Sequence, residues 1–170
     1  MLQRFGLNIR NLVHNPIVPD VKLAKYDSSV KVDKTYYRKI IGRLMYLTSS
    51  RPDLLLVVNL ISRYIENPIE LHLQVAKRVM RYLRGTTEFG TFYINEGNIE
   101  LVTYIDNDYA GDLDDKNSTL GYIFLLSSGD VSWSSKKQPI MSLSTIKSEF
   151  IGATSCACQA TWLKRVLESV

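Results

Sequence analysis

The chain predicts an α+β protein on three observations. Apolar residues recur at helical spacing through residues 36–84. From Phe89 onward the apolar period changes to two, the spacing of strands. After Ser144 an alanine-rich run returns to helical character. A helical first half, a short antiparallel sheet and one long closing helix satisfy all three.

Residues 1–35 lack strong periodicity, Pro16 and Pro19 interrupt them, and 27–34 reads as a polar linker. A first helix is predicted over 36–49, with Ile40, Ile41, Leu44 and Leu47 on one face and Asp33 or Thr35 as its cap. Pro52 suits a first helical turn, so a second helix is expected over 53–66, stopped by Asn67-Pro68. The third, over 70–84, has Leu71, Val75, Val79, Tyr82 and Leu83 on its apolar side and Gly85 as a C-cap candidate. Its other side carries Lys77, Arg81 and Arg84 at i, i+4 and i+7, with Arg78 beside them. Such a stripe is either a solvated face or a track for nucleic-acid phosphates, where evenly spaced cations replace condensed counterions.

Strands are predicted over 91–94, 100–106, 121–126 and 130–134, with Ser127-Ser-Gly-Asp130 as a hairpin turn joining the last two. The final helix should span 144–169 with Ser144 or Thr145 near its cap. The small residues of 152–160 would let it lie close on a sheet. Cys156 and Cys158 would point to opposite sides of that helix, which disfavours a disulfide or shared metal and leaves them as buried small hydrophobes.

Composition narrows the function classes. The longest apolar run, 54–58, is far too short to span a membrane, and the first residues contain no extended apolar core. An intracellular protein is therefore expected. No Gly-rich phosphate loop and no nucleophile–base pair stands out, which argues against a small-molecule enzyme. The net charge of +4 hides an asymmetry: residues 1–100 hold 15 Lys and Arg against 9 Asp and Glu, whereas 101–170 hold 6 against 8. Asp106, Asp108, Asp112, Asp114 and Asp115 bunch within ten positions. A basic half joined to a locally acidic one suits a protein that grips a polyanion with one part and holds cations with the other.

Two stretches concentrate the chemistry: Tyr104-Ile-Asp-Asn-Asp-Tyr-Ala-Gly111 and Ser142-Leu-Ser-Thr-Ile-Lys-Ser-Glu-Phe150. The first sets Asp106 at the end of a strand; the second sets Glu149 in the first turns of a helix. Carboxylates so placed can converge on one divalent cation. Asp106 and Glu149 lie 43 positions apart, so they meet only if the fold closes that helix on that strand, and Lys147, two positions before Glu149, would then point elsewhere.

Further segments carry a family resemblance. They are Tyr37-Arg-Lys-Ile-Ile-Gly-Arg-Leu-Met-Tyr-Leu-Thr48, Arg51-Pro-Asp53, Ala76-Lys-Arg-Val-Met-Arg-Tyr-Leu-Arg-Gly-Thr86, Ser118-Thr119 with Gly121-Tyr122, and Ser132-Trp-Ser-Ser-Lys-Lys-Gln138. With the two acidic stretches, in this order and spacing, they resemble the Pol polyprotein of copia-type LTR retrotransposons. The resemblance covers nearly the whole chain. It implies that residues 1–95 are the C-terminal thumb or connection segment of a reverse transcriptase. Residues 96–170 would be the front of a ribonuclease H-like domain: three antiparallel strands and a helix. Asp106 matches that family's first metal-ligating aspartate and Glu149 its metal-ligating glutamate, catalytic carboxylates that hold Mg²⁺. Asp108, on the same strand face as Asp106, is expected as a supporting ligand or a plain solvated turn residue.

The implied parent copies RNA into DNA and hydrolyses the RNA strand of RNA–DNA hybrids. Where the family usually has an acid two positions before the glutamate, this chain has Lys147. The polymerase palm would lie before Met1 and two later carboxylates after Val170. Two Mg²⁺ ions bring four positive charges, and Asp106 with Glu149 supply two negative ones. The expectation is a truncated, catalytically incompetent fragment that retains binding to RNA–DNA hybrid or RNA through Lys77, Arg78, Arg81 and Arg84. It could also self-associate through an open sheet edge. The alternative is a chain repurposed as a protein–protein interaction module.

Overall fold

The computed structural model describes residues 11–18, 23–25, 30–93 and 100–169. The chain divides into two compact units, Met1–Gly90 and Thr91–Val170. The expected α+β class holds: the described residues form four α-helices and one three-stranded antiparallel sheet.

The first unit is helical. Helix α1 (Lys34–Leu47) begins where the Asp33 side chain accepts the amide of Tyr36. It buries Tyr37, Ile40, Ile41 and Leu44, a stripe of helical period. Leu47, expected on that face, is only half-buried at the helix end, and Tyr37 extends the buried stripe at the other end, one turn before Ile40 and Ile41. A 3₁₀ turn (Pro52–Leu54) leads into helix α2 (Leu55–Ser62).

This second helix is shorter than expected, because beyond Ser62 the amides of Tyr64 and Ile65 reach back only three residues, to Ile61 and Ser62. The tightened turn brings Tyr64 into the core, where its hydroxyl donates to the Leu23 carbonyl at 2.9 Å. Helix α3 (Glu70–Gly85) runs as expected. Gly85 is its last helical residue rather than its cap; Thr86 follows, donating its amide to Leu83 and its hydroxyl to Tyr82.

Leu44, Leu54, Ile61, Val79 and Met80 are among the side chains that close one apolar core between these helices. The Tyr37 hydroxyl donates to the Ile61 carbonyl at 2.8 Å, and burial holds its phenol well above the ordinary range. His72, unremarked in the sequence, is fully buried, stacked on Tyr64 at 3.9 Å. One ring nitrogen receives the Ile69 amide and the other faces the Ala24 carbonyl at 3.1 Å, so the imidazole serves as a helix cap.

In the second unit, β1 (Leu101–Asp108), β2 (Thr119–Leu126) and β3 (Gly129–Lys137) form a sheet in that order. β2 and β3 are joined by two residues, with Ser127 at φ 55°. Residues 91–93 of the strand expected over 91–94 are not strand, and 94 lies outside the described residues. Helix α4 (Thr145–Glu168) starts at Ser144, whose hydroxyl accepts the Lys147 amide. It buries Ser148, Gly152 and Cys156, one small residue per turn. A Cβ on Gly152 would fall 2.8 Å from a methyl of Leu120, so a larger residue there would push that side chain aside. Cys156 is buried and its thiol is pushed up by that burial; Cys158 is exposed, which corrects the reading of both as core residues.

Candidate functional site

The segments holding Asp106 and Glu149 meet through their neighbours. Asn107, the residue after Asp106, donates from its amide nitrogen to the Ser148 hydroxyl at 2.8 Å. Ser148 directly precedes Glu149 and is fully buried. Its hydroxyl also donates to Ser118 Oγ at 2.9 Å, and Ser118 Oγ accepts the Ala110 amide at 3.2 Å. Gln138 completes the cluster: its amide group reaches the Ser148 carbonyl at 3.4 Å while its backbone amide donates to the Ser118 carbonyl at 2.8 Å. Four motifs far apart in sequence thus converge on one buried polar cluster.

The ladder fixes which way the acids face. Asn107 pairs with Leu120, the side chain that lies beneath Gly152, so this face of β1 is the one α4 covers. Strand alternation therefore sets Asp106 and Asp108 on the opposite face of β1. Asp106, Asp108 and Glu149 are all exposed, as is Lys147. The Asp108 carboxylate folds over Gly111, occupying the space a Cβ there would need. Ala110 adopts φ 51° in the same turn, a backbone position that side chains adopt at a cost of about 1–2 kcal/mol.

The remaining acids have structural partners. Asp112 is buried, and its carboxylate meets Lys137 at 2.7 Å while receiving the amides of Asp114 and Asp115. Burial by itself would raise its pKa; the Lys137 ammonium and the two amides outweigh this and hold it down at about 2. Asp115 pairs with the same ammonium at 2.6 Å. These two side chains of the acidic bunch fasten a loop to β3.

Three of the four basic residues of α3 are partly covered. Lys77 pairs with Glu70 at 3.6 Å, and Arg78 donates to the Asn15 carbonyl at 3.0 Å. Arg81 is half-buried, with its Nε shielded and without a hydrogen-bond partner among the described residues. Arg84 is exposed. Arg51, by contrast, forms a two-pronged pair with Asp53 and also donates to Thr86, tying the 3₁₀ turn to the end of α3. The Tyr82 hydroxyl donates to Asp53 at 2.9 Å. Burial works to raise the Asp53 carboxyl, and Arg51 with Tyr82 hold it below its ordinary range.

Sequence reasoning carried Asn107, Ser118, Gln138 and Ser148 only as members of the family motifs and gave them no role of their own. The available signal was the small-residue series Ser148, Gly152 and Cys156, which marks the face of α4 that the sheet approaches.

These features define a mixed α+β protein whose sheet-bearing unit gathers two exposed carboxylate segments around a polar cluster. The chain is 38% identical, over 98% of its length, to the retrovirus-related Pol polyprotein from transposon RE1 of Arabidopsis thaliana, of which it covers 11%. It is 37% identical over its full length to that from transposon TNT 1-94 of Nicotiana tabacum, covering 13%. It is also 40% identical, over 75% of its length, to the secreted RxLR effector protein 161 of Plasmopara viticola, covering 90% of that protein. No family profile and no solved structure matches it. The chain belongs to the copia-type retrovirus-related Pol polyproteins of transposons, as a stretch of about a tenth of their length.

Proposed function

We propose that this stretch joins the end of a reverse transcriptase to the front of a ribonuclease H-like domain, and that Asp106 and Glu149 are its divalent-cation carboxylates. The observation that carries this reading is the Asn107–Ser148 hydrogen bond, which joins the two acidic motifs through their adjacent residues. Carboxylate oxygens are hard donors suited to Mg²⁺. Among the described residues no group of three or more His, Cys, Asp or Glu side chains is placed to hold a metal. In a two-metal site the ions activate water and stabilise the leaving oxygen of the cleaved phosphodiester. Two carboxylates neutralise only half the charge of such a pair.

The substrate class is RNA–DNA hybrid or RNA, held through phosphates by the α3 cations, with Arg84 the most exposed of them. The test incubates the purified chain with labelled hybrid in Mg²⁺ or Mn²⁺. Binding to the hybrid is expected, with any metal-dependent cleavage lost in Asp106→Asn; a chain that binds neither hybrid nor RNA overturns the reading. No helix among the described residues is long and apolar enough to cross a membrane.

A second reading, a protein–protein interaction module, is favoured by one observation. A protein named as a secreted effector is nearly covered by this chain, so the same compass of sequence occurs as a short protein. Hybrid binding that is absent at low salt would select this reading over the first.

A further inference from the structure

We infer that the outer face of α1 is a second contact surface for the RNA–DNA hybrid, one strand of which crosses the helix at Gly42 between Lys39 and Tyr46. That the occupant is a polynucleotide rests on the functional reading above; the surface itself stands on α1. Gly42 lies in the interior of a 14-residue helix, where glycine costs stability relative to alanine. Nothing within the described residues requires it there. Gly42 is exposed, and a Cβ built on it would meet no atom within 4 Å. Gly152 differs, because the space beside it is taken by Leu120. The bare backbone at Gly42 therefore makes room for something outside the chain.

The surrounding side chains define its chemistry. Lys39, Gly42 and Tyr46 stand at i, i+3 and i+7, opposite the stripe of Tyr37, Ile40, Ile41 and Leu44 that enters the core. Tyr46 is 81% exposed, more than any other aromatic side chain among the described residues. Lys39 is exposed as well, and half-buried Arg43 follows one turn after it. Helix α1 carries Lys34, Arg38, Lys39 and Arg43 and no carboxylate, and Glu66 pairs with Lys34 and Arg38. A-form duplexes present sugars and phosphates along a wide, shallow groove that a flat helix face can approach. The Tyr46 ring then lies against a sugar, the Lys39 ammonium meets a phosphate, and the gap at Gly42 admits the strand between them. A partner docking by apolar burial is a poorer match, because cations flank the gap. A single strand is poorer too, since this face offers one ring rather than a series on which successive bases stack.

The experiment titrates the full chain into labelled RNA–DNA hybrid, and separately into labelled single-stranded RNA, at low salt, reading fluorescence anisotropy and the melting temperature of each variant. Gly42→Ala should weaken hybrid binding at least several-fold while raising the melting temperature, since alanine is the better helix former. A stabler fold with poorer binding is a pairing that a merely structural role does not produce. Tyr46→Ala should weaken binding at least several-fold with the melting temperature unchanged, and Tyr46→Phe should keep the affinity. Lys39→Ala should lower the salt slope by about one released counterion. Parent-like affinity in both Gly42→Ala and Tyr46→Ala overturns this surface, and leaves the substrate reading standing if the Lys77/Arg81/Arg84 triple alanine variant still loses affinity. Equal losses for single-stranded RNA overturn the hybrid as the occupant. A parent chain that binds neither nucleic acid overturns the substrate reading, and this surface with it.

Discussion

The two units of this chain are held together in different ways. The helical unit closes a continuous apolar core, with Tyr37, Ile40, Ile41, Leu44, Leu54, Ile61, Val79 and Met80 buried to within a few per cent. In the sheet unit the buried apolar side chains among the described residues are Leu120, Phe124 and Cys156. Helix α4 turns small residues inward and leaves Ile146 and Phe150 about three-quarters exposed or more, at 80% and 74%. Apolar burial scales with area, so the first unit draws on many contributions and the second on few, with ladder hydrogen bonds and a polar cluster doing the rest. The unit that carries the candidate carboxylates is therefore the one most sensitive to single changes.

The largest expected effect tests that contrast directly. Phe124→Ala removes the one large side chain fully buried in the sheet unit among the described residues and should cost about 3–5 kcal/mol. Denaturant unfolding followed by residue-resolved probes should show the sheet unit melting while the helices persist. Leu44→Ala should cost about 2–5 kcal/mol yet leave a folded helical unit at moderate denaturant, because its neighbours continue the core. If Leu44→Ala unfolds its unit and Phe124→Ala does not, the comparison is reversed.

A smaller effect concerns acid. The Asp112 carboxyl lies at about 2 in the folded chain, below its ordinary value of 3.8, so its contribution is complete above that ordinary value. It is lost as pH falls through about 2, and the loss should be on the order of 2 kcal/mol. Lys137→Met should remove most of this dependence, since the ammonium holds both Asp112 and Asp115. A pH profile of the sheet unit that is identical in the two proteins between 4 and 2 would contradict the assigned cause.

The helical unit invites a test of affinity rather than stability. The Lys77/Arg81/Arg84 triple alanine variant should bind hybrid more weakly, with a shallower salt slope by about 1–3 released counterions. Fluorescence anisotropy at several salt concentrations reads both. Parent-like affinity would make α3 a structural helix whose cations serve Glu70 and Asn15. Least of all should Lys164→Ala matter: its pair with Glu168 is exposed at both ends, and removal should cost less than about 0.5 kcal/mol.

Much of the fold was legible because local physics repeats along the chain. The 3.6-residue spacing of 37–44 and 70–84, the cap at Asp33, Pro52 at the start of a turn and Ser144 before α4 each act within a few residues, and each stands where expected. The alternation of 101–106 and 121–126 likewise gave the sheet, whose strands run up to a few residues further because pairing partners extend them. The acidic stretches were visible as motifs for the same reason.

What local pattern could not supply was the choice of partner. That α2 ends at Ser62, that His72 caps α3 by reaching Ile69 and Ala24, and that Lys137 takes up Asp112 and Asp115 all depend on residues distant in sequence. The polar cluster joining Asn107, Ser118, Gln138 and Ser148 is of this kind, since a hydroxyl carries no sequence mark of which amide it will meet. Periodicity and capping follow from the backbone and were set by the sequence itself. Which buried polar group satisfies which was decided only when the strands and helices closed on one another, because a donor removed from water takes the acceptor that packing brings to it.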